Sequence, residues 1–383
     1  MNQITASRPQ RQKSMGFIRE ATLDDLEALL VIESQCFEYD RLSRRSFRYL
    51  LSKGKAETLV YINNGHIRGY SMVLFNSGTS LARLYSLAVV GNLRGKGVGQ
   101  SLISASEHAA LDRGIAILRL EVRPDSKAAI HLYEKAKFKI IGTAPDYYED
   151  GSDALRYEKR LSPPKRLELA KVEYYQQSLE FTCGPAALMM AMHALRPAVK
   201  PTQSLELRLW RETTTIFMTS GHGGCGPLGM ALAAYRRGFD VELFLSESRP
   251  FLVGSVRSEE KKAVIRIVHE DFLSELALTP INVNYRMFNI NDIERNFSKN
   301  SIPIVLISSF RIYHEKAPHW VVVTGFDDLF VYFHDPYVDE ELGKAAIDSM
   351  NIPVPRRDFE VMARYGKSSH KALVVLTKRG AKS

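Results

Sequence analysis

The sequence predicts two successive domains, and the expected fold class is α/β for the first and α+β for the second. Three observations support this. The chain has 383 residues, which exceeds the usual size of one hydrophobic core. Strand-like and helix-like segments alternate in the first half in the order β-α-β-β-β-α-β-α-β-β, as expected of a mixed sheet with flanking helices. The pair Pro163-Pro164 then interrupts the pattern, because paired prolines continue neither a strand nor a helix.

The composition favours a soluble globular protein of the cytoplasm. Apolar residues make up 45% of the chain and charged residues 25%, which are ordinary proportions. The net charge of +9 leaves a nucleic-acid partner open, but Arg and Lys are spread along the chain, which favours a solvated surface. Three cysteines are too few for a disulfide framework, and no Cys-x-x-Cys pair suggests a metal site. No apolar run approaches the 18 or so residues of a membrane span.

Four segments follow from these patterns. We expect a disordered leader over residues 1–15, a first domain over 16–161, a linker over 162–172 and a second domain over 173–378. Because the leader is polar and lacks an apolar centre, it is neither a signal peptide nor a membrane anchor. We therefore expect no membrane and no nucleic acid among the partners, and we make no prediction of the oligomeric state.

The first domain begins with a short strand and an amphipathic helix. Phe17-Ile18-Arg19 is strand-like, and Thr22 is placed to cap a helix with leucines at helical spacing. Two strands follow, at residues 58–63 and 66–75. They are joined at Asn63-Asn64-Gly65, and Asn-Gly between alternating runs is a strong hairpin signal. Strands at 116–122, 138–142 and 153–161 and a helix at 127–137 complete the domain.

The central motif of the first domain is a glycine-rich loop between a strand and a helix. An apolar run over residues 84–90 leads into Arg94-x-x-Gly97-x-Gly99 and then into a helical pattern. Glycines let several backbone N–H groups approach one anion, and the following helix adds its positive dipole end. The loop therefore suits a diphosphate, although a turn without a ligand is the alternative. It lacks the Gly-Lys-Ser/Thr of a nucleotide triphosphatase and the acidic ribose ligand of a dinucleotide fold.

This loop resembles the coenzyme A loop of the GNAT acetyltransferases, and the resemblance covers residues 16–161. Residues 120–134 resemble the family's second coenzyme motif, particularly in the ribosomal-protein alanine N-acetyltransferases. The resemblance implies a GNAT fold and acetyl-CoA as co-substrate, with Tyr133 protonating the departing thiolate. It implies coenzyme contacts from Leu87, Ala88, Val89, Arg94, Gly95, Lys96, Gly97, Val98, Gly99 and Ser126.

Three positions depart from the family pattern. Ser126 stands where asparagine is usual, and Lys137 stands where glycine is usual. Arg83 occupies the place of a frequent glutamate at the central strand, so no general base is named and a water relay remains open. At pH 7 an α-amino group of pKa about 7.7 to 8.0 is roughly a tenth neutral, whereas a lysine of pKa about 10.4 is almost wholly charged. A site without a strong base therefore favours a peptide N-terminus as acceptor.

The second domain contains the residue types of a thiol hydrolase. Cys183 opens an apolar helix, whose positive end favours the thiolate, and Gln177 lies six residues earlier, where its amide can serve an oxyanion. His319 begins one strand-like segment and Asp335 ends the next. If the two segments pair as a hairpin about Asp327-Asp328, His319 and Asp335 lie opposite each other.

This order resembles the papain-like double-glycine leader peptidases that trim bacteriocin precursors, over residues 172–376. The resemblance implies a papain-like cysteine peptidase fold and a Cys183-His319-Asp335 triad with Gln177. Cys225 is an alternative candidate for the nucleophile, but we favour the interpretation that its loop faces the substrate. His193 is expected to be structural, and His314 and His334 to be surface or supporting groups.

The combined hypothesis is a bifunctional enzyme with a peptide or protein substrate. The first domain would be an acetyl-CoA-dependent N-acetyltransferase and the second a cysteine peptidase. Two alternatives remain open at this point. The second domain could be a peptide-binding module in which Cys183 is structural, or the first domain could only sense acetyl-CoA and regulate the peptidase.

Overall fold

The computed structural model describes residues 16–215, 223–250, 253–256, 258–340, 344–366 and 369–380, so the expected leader over residues 1–15 lies outside the described residues. The chain divides into two compact units. The first runs to Leu161 without Asn76–Leu81, and the second comprises Asn76–Leu81 and the chain from Ser162 onward. Within the described residues, no helix combines the length and the apolar character that a membrane crossing requires.

The first unit is built on a seven-stranded sheet, which confirms the predicted α/β class. The strand order is β1-β2-β3-β4-β5-β7-β6. The strands are β1 (Phe17–Glu20), β2 (Ala56–Asn63), β3 (His66–Phe75), β4 (Leu81–Val89), β5 (Ile117–Val122), β6 (Lys139–Ala144) and β7 (Ala154–Arg160). The helices are α1 (Leu26–Cys36), α2 (Arg44–Ser52), α3 (Val98–Asp112) and α4 (Lys127–Lys135).

The β2–β3 hairpin forms at the predicted turn. Asn64 and Gly65 both have positive φ, 52° and 76°, as a two-residue turn that matches the strand twist requires. Helix α2 is an element that the sequence pattern did not predict. Its start is fixed by Ser43, whose side chain accepts a hydrogen bond from the Ser46 backbone N–H, and it buries Phe47 against the sheet while its charged side chains face outward.

Strand β4 contains a bulge at Tyr85. Met72 pairs with Ser86 and Val73 pairs with Leu84, so Tyr85 is the extra residue. Leu84 consequently packs in the core cluster on the α3 and α4 side of the sheet. Ser86 instead hydrogen-bonds Tyr70, which belongs to the cluster on the α1 and α2 side. The bulge thus places Leu84 and Ser86 on opposite faces of the sheet.

The second unit is built on an eight-stranded sheet with helices packed on it, as expected for an α+β domain. The main strand order is β10-β9-β15-β11-β12-β13-β14, and β8 pairs with β12. The strands are β8 (Leu167–Leu169), β9 (Phe239–Leu245), β10 (Asn282–Tyr285), β11 (Ser301–Ser308), β12 (Pro318–Asp327), β13 (Phe330–His334), β14 (Ile352–Pro355) and β15 (Ala372–Lys378). The helices are α5 (Cys183–Leu195), α6 (Gln203–Thr213), α7 (Pro227–Arg236), α8 (Glu259–Leu276), α9 (Ile290–Arg295), α10 (Phe310–Tyr313) and α11 (Arg356–Met362).

Helix α5 lies at the centre of this core. Every described side chain from Gly184 to His193 is buried, and a helix that is apolar on all sides is stable only when it is enclosed. It packs against β12, β11 and α7, so the residue at its first position is held by the densest part of the unit.

The segment expected to be a linker contains strand β8. Its three residues pair with Gly325, Phe326 and Asp327 of β12, so the chain re-enters regular structure soon after Pro164. A side chain at Gly325 would collide with the Glu168 carbonyl oxygen and the Leu169 side chain, which means that β8 lies on β12 only because residue 325 is glycine.

Substitution of Gly325 by alanine should therefore destabilise the second unit. We expect a loss of about 1–3 kcal/mol in the free energy of unfolding, because the new methyl group must displace β8. Urea unfolding followed by tryptophan fluorescence measures this, since both tryptophans lie in the second unit. Gly224→Ala is the control, because no atom lies within 4 Å of a Cβ there. Equal unfolding midpoints for the two variants would contradict the assigned packing of β8.

Candidate active sites

The glycine-rich loop follows β4 with the geometry of an anion site. Gly95 and Gly97 have φ of 73° and 86°, and Gly97 precedes the first turn of α3. No protein side chain caps this helix start within the described structure, so its first amide groups are available to a ligand. Arg94 Nε donates to the Val89 carbonyl oxygen at 3.0 Å and ties the loop to the strand.

The glycine of α3 has a different role from the loop glycines. A Cβ on Gly99 would lie 2.9 Å from Leu132 Cδ2, so this residue allows α3 to approach α4. A Cβ on Gly95 or Gly97 would meet no atom within 4 Å, so those two residues are required by their backbone dihedrals.

One cavity of about 500 Å³ brings together three of the predicted residues, Leu87, Ser126 and Tyr133. Ala88 has its side chain in the core, and Val89 ends β4. The other predicted residues lie along the loop and the start of α3 rather than in the cavity wall, namely Arg94, Gly95, Lys96, Gly97, Val98 and Gly99. Tyr133 is buried and packs edge-on against Phe138 at 6.0 Å between ring centres. Burial raises the pKa of Tyr133 to about 12, so its hydroxyl carries a proton at neutral pH.

Arg83 forms a buried ion pair in this cavity. Its Nε lies 2.8 Å from Glu121 Oε2, and the two side chains are only 5% and 3% exposed. Arg83 also donates to the Tyr147 hydroxyl. Arg83 stands where a glutamate is usual, and its charge is compensated by Glu121 of the adjacent strand β5.

A second set of residues, on three loops at the cavity, belongs to none of the predicted motifs. Arg123 binds Asp40 Oδ2 at 2.7 Å and Asp150 Oδ2 at 2.8 Å, and its guanidinium lies 4.0 Å from the centre of the Tyr148 ring. Tyr147 and Tyr148 stand edge to face at 4.9 Å. The signal available in the sequence was this tyrosine pair immediately before the acidic turn.

The second site joins Cys183, His319 and Asp335. Cys183 is the first residue of α5 and remains partly accessible, whereas His319 and Asp335 are buried. His319 Nε2 lies 2.6 Å from Asp335 Oδ1, and the imidazole also hydrogen-bonds the Cys183 thiol. Because Nε2 is engaged by Asp335, Nδ1 is the ring nitrogen that serves the thiol.

The protonation states follow from these contacts. Burial alone would raise the pKa of the Cys183 thiol, but the charge and hydrogen bond of His319 and the Trp320 backbone N–H outweigh it, so the pKa is lowered. Burial alone would lower the pKa of His319, but Asp335 and Cys183 raise it to about 10. The two shifts act in the same sense, because the lowered thiol pKa and the raised imidazole pKa both favour a thiolate–imidazolium pair.

Asp335 is held by more than its histidine. Tyr313 Oη donates to Asp335 Oδ2 at 2.7 Å, and the Tyr337 backbone N–H donates to Oδ1 at 2.9 Å. Burial would raise the pKa of Asp335, but these donors together with His319 lower it. The carboxylate is thus kept ionised in an enclosed site. Tyr313 carries no sequence motif that could have identified it.

The hairpin register differs from the prediction. Val322 pairs with His334 and Phe326 with Val331, with a bulge between Val323 and Gly325, so His319 and Asp335 are not directly opposed. Asp327 Oδ1 accepts the N–H groups of Leu329 and Phe330 and lengthens the turn. The two site residues nevertheless remain on one face, and a diagonal contact joins them.

Gln177 lies beside the Asp335 loop. Its backbone N–H donates to the Pro336 carbonyl oxygen at 2.8 Å, and its side-chain Nε2 donates to Leu179 at 2.8 Å. The side-chain Oε1 is buried and has no hydrogen-bond partner. The structure therefore places Gln177 next to the residue that follows Asp335.

Cys225 is enclosed in the core, and residues 221–222 of the loop that was expected to face the substrate lie outside the described residues. Cys225 is 5% exposed, and burial raises the pKa of its thiol far above the usual range. A Cβ on Gly184 would lie 2.9 Å from Cys225 Cβ, which shows how tightly α5 packs against it.

The other histidines have structural partners. His193 binds the Val199 carbonyl oxygen and Glu173, and His334 binds the Val172 carbonyl oxygen, whereas His314 has a positive φ at the end of α10. Among the described residues, no group of three or more His, Cys, Asp or Glu side chains is arranged to hold a metal ion.

Comparison with known proteins assigns one family to each half. Residues 24–138 match the model of the Acetyltransferase (GNAT) family, and residues 172–377 match that of the Peptidase_C39 like family. A putative [ribosomal protein bS18]-alanine N-acetyltransferase of Bacillus subtilis is 27% identical over 144 residues, covering 37% of this chain and 94% of that protein. An N-alpha-acetyltransferase of Saccharolobus solfataricus is 29% identical and covers 38% of this chain and 93% of its own length.

Among solved structures, the ribosomal-protein-S18-alanine N-acetyltransferase of Escherichia coli is similar to this chain. It is 26% identical, covers 39% of this chain and 96% of its own, and gives a TM-score of 0.36.

The thiolate state of Cys183 predicts selective alkylation. At pH 6.5, iodoacetamide should label Cys183 at least about tenfold faster than Cys36, because the cationic His319 lowers the pKa of the Cys183 thiol. His319→Ala should lower the Cys183 rate about tenfold or more at pH 6.5 and much less at pH 10, where a free thiol ionises unaided. Peptide mass spectrometry against time measures both rates, with Cys225 as the unlabelled internal reference. Identical Cys183 rates in the two proteins at pH 6.5 would refute the ion pair.

Proposed function

The chain belongs to the Peptidase_C39 like family and carries a GNAT acetyltransferase domain, and from this we propose that it is a bifunctional enzyme acting on peptides or proteins. The first domain transfers an acetyl group from acetyl-CoA to an amine, and the α-amino group of a peptide is the acceptor class that we favour. The second domain is a cysteine peptidase. The observation that carries this second activity is the hydrogen-bonded series from Cys183 through His319 to Asp335.

The coenzyme fits the first domain through its loop and its cavity. The positive φ angles of Gly95 and Gly97 allow the tight turn that an anion-binding loop requires, and the uncapped start of α3 adds backbone N–H donors for a diphosphate. Leu87 borders the cavity at the end of β4, where the acyl end of the coenzyme would lie. Ser126, at the start of α4, offers a hydroxyl from the facing wall.

Tyr133 is the proposed general acid of acetyl transfer. When the acceptor amine forms its bond to the thioester carbonyl carbon, the C–S bond breaks and a thiolate departs. A hydroxyl whose pKa is raised to about 12 retains its proton until that charge develops and then gives it to sulfur. The buried Arg83–Glu121 pair borders the same cavity, and its two opposite charges compensate each other there.

An amine of low basicity suits this site. The α-amino group of a peptide is partly neutral at pH 7, whereas a lysine side chain is almost wholly protonated. The names of the two relatives, a bS18-alanine N-acetyltransferase and an N-alpha-acetyltransferase, support the same acceptor class.

The proposed peptidase reaction uses the second site as it stands. The Cys183 thiolate attacks the peptide carbonyl carbon, and His319 gives a proton to the departing amine. Water then attacks the thioester, His319 takes its proton, and the acid is released. Asp335 holds the imidazole by Nε2 throughout, and the side-chain amide of Gln177 is a candidate donor to the oxyanion.

A charge placed in the glycine-rich loop should abolish coenzyme binding. Gly97→Glu should weaken acetyl-CoA binding more than about tenfold, because a carboxylate would face the diphosphate. Gly114→Glu is the matched control, since Gly114 has a φ of 73° and open space around it but lies at the far end of α3. Calorimetry with acetyl-CoA measures binding, and mass spectrometry of a peptide mixture varied at its first residue measures transfer. A wild-type protein that binds acetyl-CoA but acetylates no amine would favour a coenzyme sensor.

The peptidase activity should depend on one thiol only. Cys183→Ala should abolish cleavage of a peptide library and leave acetylation unchanged, whereas Cys225→Ala should keep cleavage within about threefold, because its thiol is buried and neutral. Mass spectrometry of the same digests locates each cut. Peptides that bind the wild-type domain without being cut would identify a peptide-binding module instead.

A further inference from the structure

Two hydroxyl groups, those of Ser86 and Tyr70, link the acetyltransferase cavity to the carboxylate of Glu33, which lies buried at the wall of the same cavity. Ser86 of β4 lines the cavity, and its hydroxyl oxygen lies 2.7 Å from that of Tyr70 on β3. Tyr70, which is fully buried, donates to Glu33 Oε2 on α1. Glu33 is 3% exposed, and its Oε1 accepts the Leu42 backbone N–H at 2.8 Å. Nothing in the acetyl-transfer scheme above uses this series.

The direction of each hydrogen bond is fixed by the carboxylate. An ionised Glu33 only accepts, so the single proton of Tyr70 points to it. Tyr70 can then only accept from Ser86, and the Ser86 proton points to Tyr70. Because Ser86 lines the cavity and keeps both lone pairs of its hydroxyl oxygen, it can accept a proton from a donor bound there.

The site needs such an acceptor. Attack by an amine on a thioester leaves an N–H proton that must be removed, and Tyr133 is committed to giving a proton rather than taking one. Glu121 is the carboxylate that β5 contributes to the cavity wall, and it is held by Arg83 at 2.8 Å. Ser86 became available because the bulge at Tyr85 turned it to the Tyr70 face of the sheet.

We propose that Ser86, Tyr70 and Glu33 form the proton relay that accepts the proton of the attacking amine. The inference rests on the proposed acetyltransferase activity. As the C–N bond forms, the amine proton passes to Ser86 Oγ, the Ser86 proton passes to Tyr70 Oη, and the Tyr70 proton passes to Glu33 Oε2. Tyr133 protonates the sulfur as the C–S bond breaks. The relay therefore gains one proton from the amine, and Tyr133 loses one proton to the departing thiolate.

The environment of Glu33 suits the end of a relay. Burial raises its pKa, and this outweighs the opposing effects of the Tyr70 hydroxyl, the Leu42 N–H and the charge of Arg41. A carboxylate of raised pKa is a better proton acceptor than an exposed one. Ser86 is the catalytic residue here, and Tyr70 and Glu33 are positioning residues that act through it.

The experiment compares two tyrosines of the same domain. Tyr70→Phe removes the relay hydroxyl but keeps the ring, which packs edge-on against Phe47 at 5.7 Å. Tyr157→Phe is the matched control, because Tyr157 is also buried and donates to a glutamate, Glu134, at 3.2 Å, but does not line the cavity. The substrate is the peptide of the mixture that the wild-type protein acetylates fastest.

We expect Tyr70→Phe to lower kcat about 100-fold with both KM values within about threefold, and Tyr157→Phe to keep kcat within about twofold. In Tyr70→Phe, kcat should rise with pH between 7 and 9 as hydroxide replaces the relay. Ser86→Ala should lose a similar factor, and Ser86→Thr, which keeps the hydroxyl, should recover most of it.

Two outcomes overturn the relay while the wild-type protein acetylates normally. One is a Tyr70→Phe variant that keeps wild-type kcat, and the other is an equal loss in both tyrosine variants, which would indicate a structural effect. Thermal melting and acetyl-CoA calorimetry on each variant identify unfolding. A wild-type protein that acetylates no peptide defeats the proposed function itself, which is a separate result.

Discussion

The hydrogen bond between His319 Nε2 and Asp335 Oδ1 is the interaction on which the second domain's chemistry depends. An enclosed carboxylate is stable only when donors compensate the loss of water, and here His319, Tyr313 and Tyr337 provide them. The charge of Asp335 in turn allows an enclosed imidazole to remain protonated, and the imidazolium allows a thiol at a helix start to ionise. Each step requires the preceding one, so the lowered pKa of the Cys183 thiol depends on a carboxylate that is bonded to His319.

In the first domain, backbone conformation determines which groups reach the cavity and the loop surface. Its loop glycines permit dihedrals that expose amide groups, and the bulge at Tyr85 separates the two faces of one strand. A protonated hydroxyl, Tyr133, and a polar series headed by Ser86 consequently line the same cavity. The two hydroxyl groups differ in their surroundings, because burial alone raises the pKa of Tyr133, whereas Ser86 is hydrogen-bonded to a tyrosine that donates to Glu33.

Site residues that are recognised by residue type and order along the chain could be predicted from the sequence. Features that depend on the register of strand pairing could not. Cys183, His319 and Asp335 were assigned to one site because a thiol at a helix start, a histidine and an acid form a recognisable set, and the structure brings them together. The hairpin register was wrong because the bulge near Thr324 and the Asp327 turn leave no pattern in the alternation of apolar residues. Tyr313 and Tyr70 looked like ordinary core aromatics, since only folding shows which hydroxyl meets a carboxylate. Strand β8 is three residues long, too short for any periodicity.

The pairing of β8 with β12 bears on how the halves are separated for study. Strand β11 pairs with β12 from Pro318 to Val322, and β8 takes over from Gly325 to Asp327. A recombinant fragment begun at residue 173 would leave those last three positions with bare amide and carbonyl groups beside exposed apolar side chains. Such an unprotected edge invites intermolecular strand addition. A cloning boundary before residue 165 retains the protecting strand and is the one to choose for a monodisperse preparation.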